Sequence, residues 1–301
     1  NHVTNFFKKN MINFPKFGDI SPDCTPNWIN KIEISSFFRN NADYSKGTWN
    51  YLWKNQKIES MNYKNKDIVL NHSGFIRLKS KNQIIFFRST PVFSLNNLVS
   101  LNHGHDDIGH FLYYYKKNPV LVDSGGFTYL NTKEKFSEFH NIPNTPSLLK
   151  NINFIKYFFL NCLILKTKVN LKYNDNFVII KFSKKSRLFE NFFLNLERTL
   201  SLSEKTLILE DKILSKSLNT KVIISFAHNI NFKHKTFYLD LKKKENCNLE
   251  SEDNLKIDKK NSNLYRFDVI SYGKKKLTNF LAIKFAKNNK FKSKLKFTWK
   301  K

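Results

Sequence analysis

The 301-residue sequence contains few of the residues that shape or crosslink small folds: eight Gly, seven Pro and three Cys. Cys24, Cys162 and Cys247 are odd in number and far apart, which excludes a disulfide framework and a cysteine-based zinc site. Long apolar runs are also lacking. The best candidate, residues 154–165, includes a Lys and an Asn and is shorter than the ~20 residues that a bilayer helix needs. We therefore expect no membrane span.

Acidic residues are scarce as well: 24 Asp and Glu face 52 Lys and Arg, for a formal net charge of +28. Richness in Lys, Asn, Ile and Phe is typical of AT-rich coding sequences, which contributes to this charge. Whatever its origin, such a field attracts nucleic acids, anionic membrane surfaces and acidic polysaccharides. Nearly all of the cations are Lys, which cannot grip bases or phosphates in a bidentate manner, and no nucleic-acid-binding motif is present. Nucleic acid is therefore not the expected partner.

Aromatic residues are abundant, with thirty Phe, twelve Tyr and four Trp, so the chain can bury a large core and is not disordered. Residues 1–70 have short apolar runs without strict alternation, and we expect a partly helical lead-in there. From about residue 72, short runs of β-branched and aromatic residues recur every ten to fifteen residues, as at 74–79, 83–88 and 110–115. This pattern predicts a mainly β fold, one large antiparallel β-sandwich over residues 71–301. The Lys runs at 242–244 and 274–276 are predicted to be hairpin loops.

The densest cluster of chemically active side chains is Asn102-His-Gly-His-Asp-Asp-Ile-Gly-His110. In a strand, His103 and His105 would share a face about 7 Å apart. Asp123 ends the apolar run 120–122 and precedes two glycines, and a hairpin would bring it back beside His105. Two imidazoles and a carboxylate have the composition of a zinc site, or of a histidine base with an orienting acid. A polar loop that only caps strands is the simpler alternative.

These runs resemble a known family. HGHDDIGHF at 103–111, NPVLVDSGGFTYL at 118–130 and the Asn144-Thr145 pair are similar to motifs in the C-terminal half of the heparinase II/III-like polysaccharide lyases. The family's pattern is approximately H-x-H-x-D-x-x-x-F, then V-D-P-G-x-x-x-Y, then H-N-T. Residues 17–23 and 196–211 also fit, the latter with an Arg and an Asp on two successive strands. The resemblance covers most of residues 15–230 and is specific only in combination.

The resemblance implies an N-terminal (α/α) toroid followed by a β-sandwich, and this chain is long enough only for the sandwich. It also implies β-elimination on uronic-acid-containing acidic glycan. His103 then matches the catalytic histidine and Asp107 the motif's acid, while His105 and Asp123 match ligands of a structural zinc ion. The implied substrate-binding residues are Asn102, Gly125, Tyr129 and Asn144.

One departure from the family affects the metal. Pro143 stands where the third zinc ligand, the His of H-N-T, is expected, and His140 would have to replace it. The alternative function is therefore a non-catalytic module that binds acidic glycan or assists surface-polysaccharide assembly. Because the chain begins with Asn and shows no signal peptide, we expect an upstream toroid in the same parent chain. The resemblance further implies an exported or periplasmic protein.

Overall fold

A computed structural model describes the strands and their immediate connections. The described residues are 68–70, 75–89, 109–116, 118–123, 146–148, 165–174, 177–186, 195–214, 220–227, 230–233, 235–240, 245–251, 267–271, 274–277, 280–284 and 290–300. Within these ranges every element is a β-strand, and all paired strands run antiparallel. No helix in this part of the chain is long and apolar enough to cross a membrane.

A five-stranded sheet is formed by the first strands of the chain, which follow one another in sequence order. Its strands are β1 (Ile68–Leu70), β2 (Phe75–Ser80), β3 (Gln83–Arg88), β4 (Phe111–Tyr115) and β5 (Asn118–Leu121). Strands β3 and β4 are mostly apolar and are buried on both sides: every one of their residues is buried. Such strands produce continuous hydrophobic runs in the sequence, because neither face meets water.

An eight-stranded sheet packs against it. Its spatial order is β12-β13-β14-β18-β10-β9-β8-β7. The strands are β7 (Leu165–Asn174), β8 (Phe177–Ser186), β9 (Asn195–Leu202), β10 (Thr206–Leu214), β12 (Asn231–Lys233), β13 (Thr236–Asp240), β14 (Glu245–Ser251) and β18 (Lys290–Trp299). Burial alternates strictly along β9, as expected for a strand with one face on the core and one in solvent.

Two smaller sheets complete the described structure. A three-stranded sheet contains β6 (Pro146–Leu148), β11 (Thr220–Ser225) and β17 (Phe280–Lys284), and a two-stranded sheet contains β15 (Phe267–Ser271) and β16 (Lys274–Leu277). Phe226, just after β11, forms a bridge with Leu121 at the end of β5, and this contact ties the small sheet to the five-stranded sheet.

One hydrophobic core lies between the two large sheets. Phe87 of β3 meets Phe182 of β8 edge-on, with ring centroids 5.3 Å apart. Tyr115 of β4 stacks on Trp299 of β18 at 3.8 Å. Large aromatic rings that interlock across the sheets bury much apolar area, and this makes the two sheets one sandwich.

The predicted antiparallel β-sandwich is confirmed, and most predicted strands lie where the pattern indicated. Strands β7 and β14 were not predicted, since their apolar residues alternate with Lys, Asn and Glu. The loop predicted at 274–276 is wrong: these lysines belong to β16, which pairs with β15 through backbone hydrogen bonds that any side chain permits. The predicted lead-in up to residue 67 lies outside the described residues, and the boundary at residue 70 stays a prediction.

Candidate functional site

The β4–β5 hairpin brings the end of the histidine-rich motif close to the aspartate that follows the apolar run 120–122. His110 immediately precedes β4, and Asp123 follows β5 after Val122. The strands pair antiparallel with Tyr113 opposite Leu121, so the chain returns toward its starting point as the sequence predicted. His110 and Asp123 consequently lie at the same end of the hairpin.

His110 and Asp123 are both fully buried and in close contact. The Nε2 atom of His110 lies 3.6 Å from Oδ2 of Asp123, and both side chains have 0% exposure. This separation is longer than a normal hydrogen bond, which joins heavy atoms about 2.9 Å apart. A carboxylate next to an imidazole restricts the orientation of the ring.

A buried ion pair of the eight-stranded sheet contacts this end of the hairpin. Arg198 of β9 donates two hydrogen bonds to Asp211 of β10, Nε to Oδ1 and Nη2 to Oδ2, each 2.7 Å long. The two residues face each other directly across the strand pair. A third guanidinium donor, Nη1, reaches the carbonyl oxygen of Gly109 at 2.6 Å. The bidentate pair thus holds the last residue before His110 from the opposite sheet.

The backbone at Gly109 requires glycine. Its φ is +86°, in the region that side chains with a Cβ rarely adopt. A Cβ there would lie 2.8 Å from Cε1 of Phe182. Its N–H donates to the carbonyl of Arg88 at 2.8 Å, and Arg88 N–H donates to the carbonyl of His110 at 2.9 Å. The end of the HGHDDIGH motif is therefore fixed by backbone, ion pair and packing together.

An aromatic hydrogen-bonded chain crosses the same core further along β4. The Nε1–H of Trp299 donates to the hydroxyl of Tyr113 at 2.5 Å, and Tyr113 in turn donates to Gln83 Oε1. Burial raises the pKa of Tyr113 well above its usual value. Burial likewise raises the pKa of the Cys247 thiol. Both groups stay protonated at neutral pH, so neither is a base or nucleophile.

Asp123 is the one predicted site residue that falls in the described part of the chain, and it is fully buried. The other predicted residues lie outside the described residues: Asn102, His103, His105, Asp107, Gly125, Tyr129, His140 and Asn144. Sequence reasoning gave His110 no role, although it closes the motif. The Arg198–Asp211 pair was suggested only by the resemblance.

Similar proteins are found by family and by structure. Residues 64–142 match the family model described as heparinase II/III-like, C-terminal. Among curated proteins, none matches the sequence significantly. The solved structures that resemble the chain include the heparan sulfate lyase HepC of Pedobacter heparinus, with a TM-score of 0.68 and 15% identity over 98% of this chain.

Two heparinase III structures are also similar. One has a TM-score of 0.67 with 13% identity over 99% of this chain, and the other 0.63 with 12% identity over 99%. At such identities the likeness establishes a common fold. The chain spans 45% of the length of the lyase from Pedobacter heparinus and 46–47% of these two heparinases.

The two large sheets and the buried polar cluster at their contact define a β-sandwich domain of the architecture found in heparinase structures. The resemblance drawn from the sequence motifs is confirmed as a likeness: residues 64–142 match the heparinase II/III-like C-terminal model, and the fold is that of the similar lyase structures.

Proposed function

We propose that this chain is the β-sandwich part of a polysaccharide lyase that cleaves uronic-acid-containing acidic glycan by β-elimination. The observation that carries the proposal is the anchoring of the end of the HGHDDIG motif, because Arg198, held in place by Asp211, donates to the carbonyl of Gly109 from the opposite sheet. A buried, bidentate ion pair is costly to maintain in a core. Its use at the end of the histidine-rich motif suits a segment whose position must be exact for chemistry.

The reaction removes the C5 proton of a uronate and expels the 4-linked sugar. The C5–H bond breaks and its electron pair forms the C4=C5 double bond, while the C4–O bond breaks and the departing oxygen takes up a proton. In this proposal His103 is the base that takes up the C5 proton, Asp107 orients its imidazole, and a general acid supplies the proton to the departing oxygen. Cationic side chains near the uronate carboxylate would acidify the C5 proton. Asn102, Gly125, Tyr129 and Asn144 would bind the sugar.

A structural zinc ion is proposed with the same motif. His105 and Asp123 are the ligands implied by the resemblance, and His140 would replace the histidine that is missing at Pro143. The ion would stabilise the fold around the motif and take no part in proton transfer. The described residues contain no group of three potential ligands, but one potential ligand lies beside Asp123. Two ligands of one tetrahedral zinc lie about 3.3 Å apart, and His110 Nε2 lies 3.6 Å from Asp123 Oδ2. His110 is therefore a further candidate for the position that Pro143 leaves without a ligand.

The proposed setting follows from the substrate. The similar solved structures are named as heparan sulfate lyase and heparinase III, which supports an acidic polysaccharide as the partner here. The relatives are about twice as long as this chain, which supports an upstream helical toroid that completes the cleft. A protein that acts on such polymers would be exported or periplasmic.

A non-catalytic function is the second candidate, and one observation favours it. Pro143 occupies the position of the third zinc ligand, so a chain that had lost its metal could retain glycan binding without turnover. Such a module would hold acidic glycan or assist the assembly of a surface polysaccharide.

The test is the rise in ultraviolet absorbance that the unsaturated product causes, followed with the full-length gene product on heparan sulfate and on a polyuronate. Turnover that is lost in His103→Ala supports the lyase. Saturable binding of either polymer without any absorbance rise would instead support the non-catalytic module.

A further inference from the structure

A groove of about 370 Å³ lies on the outer face of the eight-stranded sheet, away from the core. It crosses five neighbouring strands, β7, β8, β9, β10 and β18. Strand register places its side chains in rows. One row runs Lys168, Ser183, Glu197, Lys212 and Lys292 from one strand to the next.

The groove has cations on both sides and carboxylates along the middle. Lys168 and Lys181 lie on one side, and Lys212 and Lys292 on the other, all four exposed. Glu197 lies 3.8 Å from Lys212, and Glu210 lies 3.6 Å from Lys294 beside the groove. Lys168, Lys181 and Lys292 have no carboxylate partner among the described residues. Three lysines therefore remain available for an anionic ligand.

Short neutral polar side chains fill the space between these charges. Asn170, Ser183 and Thr199 line the groove and offer hydrogen bonds of the kind that sugar hydroxyls make. Phe182 is the one aromatic residue of the lining, and its side chain is buried in the core. A groove without an exposed aromatic ring has no surface on which nucleobases can stack. Lysine, unlike arginine, also lacks the fork that grips phosphate.

We propose that this outer groove is a second, non-catalytic binding site for acidic polysaccharide. The choice of acidic polysaccharide as the ligand rests on the proposed function, whereas the groove itself is observed independently of that function. Arg198 and Asp211 also contribute to the lining, but both are buried and paired with each other, so the exposed lysines of the groove are on the solvent face of the strands and the ion pair that holds Gly109 is in the core. A polymer held at both the groove and the candidate site binds with the effective concentration of a linked ligand, which strengthens binding of long chains and leaves short ones unaffected.

The test compares two triple variants that remove the same charge. Lys168→Ala, Lys181→Ala and Lys292→Ala empty the groove of its available cations. Lys205→Ala, Lys235→Ala and Lys300→Ala remove three other exposed lysines. Binding of fluorescently labelled heparin and of a labelled DNA duplex is measured by anisotropy over a range of salt concentrations. Equal thermal unfolding midpoints of the two variants verify that both are folded.

The groove variant should bind heparin at least about tenfold more weakly than the unmodified chain, because three exposed charge contacts are lost together. The control variant should lose much less. Equal losses in both variants would overturn the proposal, since binding would then follow net charge alone. DNA binding that is tighter than heparin binding and depends on the groove would also overturn it, in favour of nucleic acid.

The outcome separates this proposal from the proposed function. Groove-dependent heparin binding without any lyase turnover would refute the lyase and leave the groove standing. Turnover with identical binding by the two triple variants would support the lyase and refute the groove.

Discussion

Two ion pairs of the same chemical kind lie on consecutive rungs of strands β9 and β10, where Arg198 faces Asp211 and Glu197 faces Lys212. The first pair points into the core, is at most 1% exposed and closes to 2.7 Å. The second points to solvent, with side chains 63% and 43% exposed, and stays 3.8 Å apart. Because side chains alternate between the two faces of a strand, one pair is buried and holds the backbone of Gly109, while the other is in solvent and can change its geometry.

The difference follows from solvation. In a core, a charge without its partner is very costly, so a buried pair must be complete and hydrogen bonded on all sides. In water the same attraction is screened and contributes little. The inner pair can therefore fix the backbone of Gly109, whereas the outer lysine can exchange its glutamate for another anion at small cost.

The largest expected effect breaks the inner pair. Arg198→Met leaves Asp211 buried without its partner and removes the donor to Gly109, and should lower the free energy of unfolding by about 3–5 kcal/mol. Lys212→Met on the neighbouring rung is the matched control and should change it by less than about 1 kcal/mol. Chemical denaturation of both variants measures the difference. Similar small losses would mean that the inner pair does not anchor the motif.

Metal removal should have the next largest effect. If zinc binds with Asp123, stripping it with a chelator removes about 3 kcal/mol at a free-metal concentration a hundredfold above its Kd. Asp123→Asn should abolish both the bound zinc, measured by elemental analysis, and the chelator's effect on the unfolding midpoint. The exposed Glu250→Gln serves as control and should keep both. A chain that contains no zinc and melts identically with and without chelator would contradict the metal site.

A smaller loss of stability is expected from a change at Gly109, whose carbonyl accepts the hydrogen bond from Arg198. Gly109→Ala forces a Cβ against the Phe182 ring and strains a positive φ, which should cost about 1–3 kcal/mol. Phe182→Leu in the same chain should recover part of that loss, and a double-mutant cycle measures the coupling. Strict additivity of the two changes would show that Gly109 and Phe182 do not interact as described.

The smallest effect concerns how the free energy of unfolding depends on pH through two buried groups of the core, Tyr113 and Cys247. Burial raises the pKa of Tyr113 and Cys247 in the folded state, so their contribution to stability is complete below the unfolded pKa values, about 8.5 for Cys and 10 for Tyr. It is lost as pH rises above them. The free energy of unfolding should therefore fall above about pH 9 because of Cys247 and above about pH 10 also because of Tyr113, by at most about 1.4 kcal/mol per pH unit for each group. Cys247→Ala should flatten this slope; an unchanged slope would remove the thiol as its cause.

The sequence predicted the five-stranded sheet better than the outer part of the eight-stranded one. Strands β3 and β4 are buried on both faces, so their apolar runs are continuous and easily recognised. Strand β7 presents Val169 and Leu171 to the core and lysines to solvent. A strand of this kind owes its place to its pairing with β8, a long-range property that composition does not reveal.

Of the candidate site, the sequence predicted the course of the chain better than the side-chain contacts. The return of the chain to Asp123 followed from the hairpin pattern. The contact of Asp123 with His110 depends on where β4 begins, which local sequence does not determine. The Arg198–Asp211 contact depends on the β9–β10 register, which is fixed by a tight turn where Ser203 N–H donates to the carbonyl of Thr206 at 2.9 Å.

The most direct test of the account is the initial rate of unsaturated-product formation from a short uronate oligosaccharide. The full-length gene product is compared with His103→Ala and with the triple variant of Lys168, Lys181 and Lys292. We expect His103→Ala to lose turnover by a few orders of magnitude while its unfolding midpoint hardly changes, since a catalytic base contributes little packing. The triple variant should keep the rate on this short substrate. A His103→Ala variant with undiminished turnover would contradict the proposed site.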